Sequence, residues 1–430
     1  MSTASPRNAS GAFAALQHRN FRLMWISLLV SNSGSWMQNV AQDYLVYDLT
    51  HRALDLGLVN LVRAIPLIVL PFFGGTIADR VDRRKLLITT QTLFALTAAI
   101  LGVLVQMRIV QVWHVIALSF VSAVLLAVDQ PARQALLPHL VPRKDFANAI
   151  ALNSITFVGA AAIGPALAGP LVARVGLSSA FYLNALSFGA VIGAVWALKL
   201  PPASHTVAPE RVGEALVAGL RYVAASPLIL LLVSLLMVFS LFALPYQNLL
   251  PVFSVRVFHG GVKTLGYLRA APGAGALTGG FLLAHYAWFR QKGWLALAGS
   301  VGLSLAVIAF CAVGWLPGAL AILFLAGLLA TVFTSTVQTL LQHIPSDQMR
   351  GRVMSLFTVA VIGMWPLGTL PMSWLSDRTG VRLAVAMGAS VSLLYALGVA
   401  VFARRYVALL QTQESDATPK PSSEGTGERE

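Results

Sequence analysis

The chain has 430 residues, 57% of them hydrophobic and only 11% charged, with a mean hydropathy of +0.75. Soluble domains carry about 25% charged residues, so most of this chain must face lipid or other apolar helices. The net charge of +14 does not mark a nucleic-acid face, because the basic residues lie in short loops between apolar runs, where they set topology.

Residues 1–16 form a small polar tail with no apolar core ahead of a cleavage site, so no removable signal peptide is expected. Apolar runs long enough to cross a bilayer, about 20 residues each, then follow near 22–47, 53–78, 86–106, 110–137, 146–173 and 178–198. Residues 199–226 are polar and proline-containing and divide the chain, and Val212 to Ala225 reads as an amphipathic helix on the inner surface. The second half, 227–405, carries runs near 227–254, 264–288, 293–315, 317–342, 353–376 and 381–403, and the tail 406–430 has a disordered composition. The expected fold is an all-α membrane protein with twelve transmembrane helices in two six-helix halves, 17–198 and 227–405.

The charge bias between loops places both termini and the linker in the cytoplasm. On that count Arg52, Arg108, Arg174, Arg256, Lys263, Arg269, Arg378 and Arg382 fall to the outer loops, and Asp377 with Arg378 reads as surface. The single cysteine, Cys311, lies inside an apolar run, and the histidines show no ligand spacing. No phosphate loop, dinucleotide fingerprint or nucleophile elbow is present. No metal, cofactor, nucleic-acid partner or enzymatic activity is therefore expected, and an ATP-driven machine in one chain is disfavoured.

Between the second and third apolar runs lies Gly74-Gly75-Thr76-Ile77-Ala78-Asp79-Arg80-Val81-Asp82-Arg83-Arg84-Lys85. Glycines there let helices approach closely, Asp79 is placed to cap or pair with a helix end, and the basic residues favour the cytoplasmic side. Gly75, Asp79, Arg80, Arg83 and Arg84 follow G-x-x-x-D-R-x-x-R-[KR], which resembles the loop between the second and third helices of major facilitator superfamily transporters. Asp82 stands where that family usually has glycine. In that family the site lies at mid-membrane between the two halves.

In the first span, Gln38, Gln42 and Asn39 are candidates for one helical face. Asp43 follows them. A carboxylate in the membrane costs at least about 2.5 kcal/mol, so Asp43 needs a cavity or partner unless it is hydrated near the outer end of its helix. Arg63 lies well inside the second span, and an Asp43–Arg63 pair is expected, either as a static bridge or as the element that holds Asp43 ionised.

Asp129-Gln130-Pro131-Ala132-Arg133 ends the fourth span, and Asp129 is expected to pair with Arg83 across the inner surface. The run D-x-P-x-R-x-x-x-x-P, continuing to Asn148-Ala149-Ile150-Ala151-Leu152-Asn153-Ser154, resembles the transmembrane secretion effector branch of the superfamily, which includes enterobactin exporters and macrolide efflux proteins. Pro245-Tyr246-Gln247-Asn248-Leu249-Leu250-Pro251, Gly266-Tyr267-Leu268 and Arg350-Gly351-Arg352-Val353-Met354-Ser355 are similar to that branch too, so the resemblance spans residues 12 to 405. In the fifth span Gly164, Pro165 and Gly169 resemble a shortened form of the G-P-x-x-x-G motif of drug–proton antiporters, although small residues at this spacing also serve plain helix packing. The antiporter arginine midway along the fourth span is absent, which leaves Asp43 and Arg63 as coupling candidates.

Tyr246, Gln247, Asn248, Gln338 and Trp365, with Thr334 and Thr336, are candidate substrate-facing groups or interhelical hydrogen bonds. Aromatic and neutral polar residues suit a bulky amphipathic substrate. The resemblance implies a secondary exporter in a bacterial inner membrane, working as a monomer by alternating access and driven by the proton gradient. Asp43 and Arg63 would be its coupling pair, and Gly75, Asp79, Arg80, Arg83, Arg84, Asp129 and Arg133 its cytoplasmic gate. The alternatives are an importer or facilitator of the same fold, or a membrane scaffold or sensor.

Overall fold

The structure, a computed structural model, describes residues 13–70, 82–198, 212–286 and 291–402, with side chains described from 219 onward in the linker helix and up to 401. Gly75, Asp79, Arg80 and the tail 406–430 lie outside the described residues. Among the described residues every regular element is helical. Lipid offers no partner for backbone N–H and C=O groups, and a helix satisfies them within itself.

The first group comprises α1 (Arg19–Thr50), α2 (Ala53–Val69), α3 (Arg83–Gln106), α4 (Val112–Leu140), α5 (Phe146–Val175) and α6 (Ser178–Ala197). The short helix α7 (Val212–Ala225) follows, at the residues whose pattern predicts an amphipathic linker helix. The second group comprises α8 (Pro227–Val257), α9 (Val262–His285), α10 (Lys292–Ala312), α11 (Leu316–His343), α12 (Asp347–Thr379) and α13 (Val381–Phe402). Among the described residues nine helices are long and apolar enough to cross a membrane. The three long helices outside that set are α1, α2 and α9, and they hold the charged residues of the central site.

Short turns set the order. The Asp82 carboxylate accepts from the backbone N–H of Arg84 (2.8 Å) and Lys85 (3.2 Å), so the residue that replaces the family's glycine is the N-cap of α3. The fifth helix of each group, α5 and α12, ends at a glycine in the left-handed region, Gly176 (φ 99°) and Gly380 (φ 89°). A side chain there would be strained.

Each group packs within itself, and the two meet along α5 against α9 and α2 against α12. Those seams are glycine-lined. A Cβ on Gly169 of α5 would fall 2.9 Å from Lys263 Cα of α9, and one on Gly57 of α2 would fall 3.1 Å from Leu370 Cα of α12. Opposite, Gly266 faces Pro165 and Gly169, and Gly273 faces Ala161. Backbones this close gain dispersion contacts that lipid cannot supply.

Candidate functional site

Among the described residues the hydrogen bonds that join the two groups lie at one end of the bundle, away from the linker. Both oxygens of Asp377, at the end of α12, accept from the first N–H groups of α2, Ala53 (2.8 Å) and Leu54 (2.9 Å). A carboxylate at a helix N-terminus satisfies orphan donors and meets the positive end of the dipole. Arg256 of α8 donates to the His51 carbonyl at 2.9 Å and lies 5.8 Å from the Tyr47 ring centroid. Asp377 is exposed, as its position in the sequence predicts, and it also bridges the two groups.

About two turns deeper, Asp43 of α1 forms an ion pair with Arg269 of α9. Asp43 is 6% exposed and Arg269 9%, so this is a buried pair. Both expectations for these residues are corrected here. Arg269 lies about two turns inside α9 and not in an outer loop, and it, not Arg63, is the ion-pair partner of Asp43. Arg63 of α2 instead donates to the Asn39 side-chain oxygen at 3.3 Å, one helical turn from Asp43. It remains within electrostatic reach of both Asp43 and Arg269. Three charges from three helices therefore share one level of the seam.

Local sequence explains part of this placement. In α8, Pro245 and Pro251 remove backbone donors, and the helix passes through a π turn (Phe239–Ala243), a 3-10 stretch (Leu244–Leu249) and a second π turn (Phe253–Val257). Tyr246, Gln247 and Asn248 lie on that irregular stretch. The Tyr246 hydroxyl is buried beside the Gln247 side chain and lies within electrostatic reach of Arg269. Asn248 donates to the Thr369 hydroxyl of α12 at 2.9 Å. In α12 a π turn (Val359–Gly363) comes just before Trp365, whose indole N–H is buried and unpartnered. Such turns rotate side chains out of helical register and recur at functional sites.

Several candidates separate. Gln38 accepts from Asn184 of α6 at 2.7 Å, and Gln42 donates to Ser119 of α4 at 3.0 Å. The two glutamines, one turn apart on α1, are thus each engaged in a helix–helix hydrogen bond with a different neighbour. Gln338 is exposed on α11.

At the linker end Asp129, fully buried, pairs with Arg133 one turn on and accepts from Thr90 (2.6 Å) and Gln91 (2.8 Å) of α3. The expected Asp129–Arg83 pair is corrected, because three nearer groups already surround that carboxylate. Arg84 donates to the Trp196 carbonyl at 2.5 Å, joining α3 to α6. The residues that sequence reasoning missed are Arg269, Thr90, Gln91 and Asp377. Only Arg269 carried a readable signal, as a charge with apolar sequence on both sides.

Comparison with known proteins identifies the family and the fold. A family described as transmembrane secretion effector matches residues 10–425. The staphyloferrin A transporter of Staphylococcus aureus is 26% identical, over 83% of this chain and 90% of its own length. The multidrug efflux pump Tap of Mycolicibacterium fortuitum is 26% identical, over 93% and 98%. Macrolide efflux protein A of Streptococcus pyogenes is 26% identical, over 84% and 90%. Among solved structures, a bacterial homolog of the human lysosomal transporter Spinster, inward-facing and unoccupied, superposes with a TM-score of 0.69 at 15% identity, over 94% of this chain and 99% of that one. A bacterial homologue of the iron transporter ferroportin, also inward-facing, gives 0.68 at 16% identity, over 92% and 99%. These two likenesses concern the fold.

Proposed function

The chain belongs to the transmembrane secretion effector branch of the major facilitator superfamily, and from that premise we propose that it exports a bulky, amphipathic small molecule by alternating access and proton antiport. It is an integral membrane protein. The proposed setting is a bacterial inner membrane, with the linker end in the cytoplasm and each chain working as a monomer. In that setting the contacts of Asp377, Arg256 and Asp43 between the two groups would close the outer end.

The observation that carries this reading is the Asp43–Arg269 pair, a buried charge contact between the two groups at the closed end. Alternating access requires that end to separate, so the pair must break in every cycle. A proton on Asp43 removes the charge that holds Arg269. One proton moving inward supplies about 2.3 kcal/mol per 100 mV, enough to drive modest uphill export. Asp43 is the proposed proton carrier, Arg63 and Arg269 its modulators, and Tyr246, Gln247, Asn248 and Trp365 the groups that meet the substrate. Gly75, Asp79, Arg80, Arg83 and Arg84, with the Asp129–Arg133 cluster, form the proposed cytoplasmic gate. The relatives' names, a siderophore transporter, a macrolide efflux protein and a multidrug pump, support the substrate class.

The test is uptake into inverted membrane vesicles, with dyes, macrolides and siderophores screened while a proton gradient is imposed or collapsed. Gradient-dependent uptake that is lost in Asp43→Asn is the expected result. Uptake indifferent to the gradient would make the protein a facilitator and overturn the antiport mechanism.

A further inference from the structure

We propose that Arg269 and Arg63, with the Tyr246 hydroxyl, form an oxyanion subsite, so that the exported molecule carries a carboxylate or comparable anionic oxygen group. This rests on the exporter reading and names the chemistry of its substrate.

The charge balance at this level of the seam is the first observation. Asp43 is one carboxylate and Arg63 and Arg269 are two guanidiniums, so the cluster holds a surplus positive charge inside the membrane, where an uncompensated charge is costly. The polar contact of Arg63 is with a neutral amide oxygen, that of Asn39. The second observation is unmet donor capacity. Arg269 uses a terminal nitrogen on Asp43, while its Nε–H is buried without a partner. The Tyr246 hydroxyl, on a residue only 1% exposed, lies beside the Gln247 side chain and within electrostatic reach of Arg269. A buried donor is normally satisfied, so the unmet Nε–H of Arg269 beside a surplus charge calls for a ligand.

Such a set calls for an acceptor with negative charge. A guanidinium offers a planar fork that matches a carboxylate with two parallel hydrogen bonds. A cationic substrate would have one carboxylate to bind and two guanidiniums to repel it.

The arrangement also links binding to movement. An oxyanion on Arg269 takes that arginine from Asp43, and Arg63, within reach of Asp43, stays behind as its counter-charge. The tie between α1 and α9 is then broken without a proton. The anion-loaded carrier opens outward and releases its anion. Asp43 then takes a proton from outside, the protonated carrier closes that end, and loss of the proton to the inside lets the Asp43–Arg269 tie re-form. Export of an anion from a negative-inside cell is in addition electrically downhill.

The experiment uses the full chain in nanodiscs of zwitterionic lipid, with three fluorescent probes of one shape: pyrenebutyrate, its methyl ester and pyrenebutylamine. Binding is read as saturable energy transfer from tryptophan to pyrene. The expected result is that the wild-type protein binds the carboxylate about tenfold more tightly than the ester or the amine, the size of one charge-assisted hydrogen bond. Arg269→Gln should erase that preference, Arg63→Gln should reduce it, and Arg269→Lys should keep part of it. Asp43→Asn, which frees Arg269, should tighten carboxylate binding severalfold. This variant also serves where Arg269→Gln fails to fold. Equal binding of amine and carboxylate, an Arg269→Gln protein that keeps its preference, or unchanged or weakened carboxylate binding in Asp43→Asn would overturn the subsite. Loss of probe binding when phosphatidylglycerol is added to the discs would assign the positive site to a lipid headgroup and overturn it too. None of these results bears on gradient-dependent vesicle uptake, so the exporter reading stands or falls separately.

Discussion

The carboxylate of Asp43 and the guanidinium of Arg269 meet across the seam between the two helix groups, each side chain 8% exposed. Removing one partner of a buried pair strands the other, which typically costs about 3–5 kcal/mol. Asp43→Asn and Arg269→Gln should each lower thermal stability and abolish gradient-driven transport. The double variant should be more stable than the sum of its parts implies, because no charge is left unmatched. A double-mutant cycle on unfolding in detergent checks this, and strict additivity would show that the two residues are energetically independent.

Asp377 closes the same end from the other group, with both oxygens on the first N–H groups of α2. Capping interactions of this kind contribute about 0.5–2 kcal/mol. Asp377→Ala should therefore shift the closed end toward opening by a factor of roughly 2 to 30. The readout is the rate at which an impermeant maleimide labels Thr50→Cys in a Cys311→Ser background, where the native buried cysteine is gone. A rate unchanged by Asp377→Ala would show that the cap stabilises α2 without governing access.

Much of the fold was legible in the apolar runs, because a segment that crosses lipid must be long, uncharged and helical, and each of these leaves a mark in composition. Which side chains meet across the seam was not legible. Asp43 and Arg269 are separated by more than half the chain and lie on helices that hydropathy treats independently. Arg269 also sits only about two turns into α9, close enough to a helix end to be counted with a loop. Arg63 was a reasonable partner for Asp43 by chain proximity, yet the rotation of α2 gives it to Asn39. The polar residues of α1 read as one cavity face, but two neighbouring helices meet that face, and Asn184 of α6 takes Gln38 while Ser119 of α4 takes Gln42. By contrast Gly164 and Gly169 of α5 were readable as close-packing sites, because only a missing Cβ permits that approach.

At the linker end Asp129 has Arg133, Thr90 and Gln91 around it. Asp129→Asn should therefore destabilise the protein by several times more than Arg83→Gln does. Thermal unfolding of the single and paired variants should show strong coupling between Asp129 and Arg133 and none between Asp129 and Arg83. Coupling above about 1 kcal/mol between Asp129 and Arg83, well beyond the usual additivity error, would mean that the gate forms that pair in another state of the cycle.

The glycines of α5 are not equivalent. A Cβ on Gly164 would meet the Ser33 carbonyl oxygen at 2.5 Å and Trp36 Cβ at 2.6 Å, while one on Gly159 would meet nothing within 4 Å. The neighbours of Gly164 are backbone and the root of a large side chain, neither of which can yield without moving α1. Gly164→Ala should thus cost about 1–3 kcal/mol, as overpacking does, and displace the helix that carries Asp43, so transport should fall further than stability. Gly159→Ala should leave transport intact and stabilise α5 by about 0.5–1 kcal/mol, through the lower entropy of alanine in the unfolded chain. Unfolding temperature and vesicle uptake measured on both variants check the pair. Equal effects at the two positions would show that α5 and α1 pack less closely than the geometry describes.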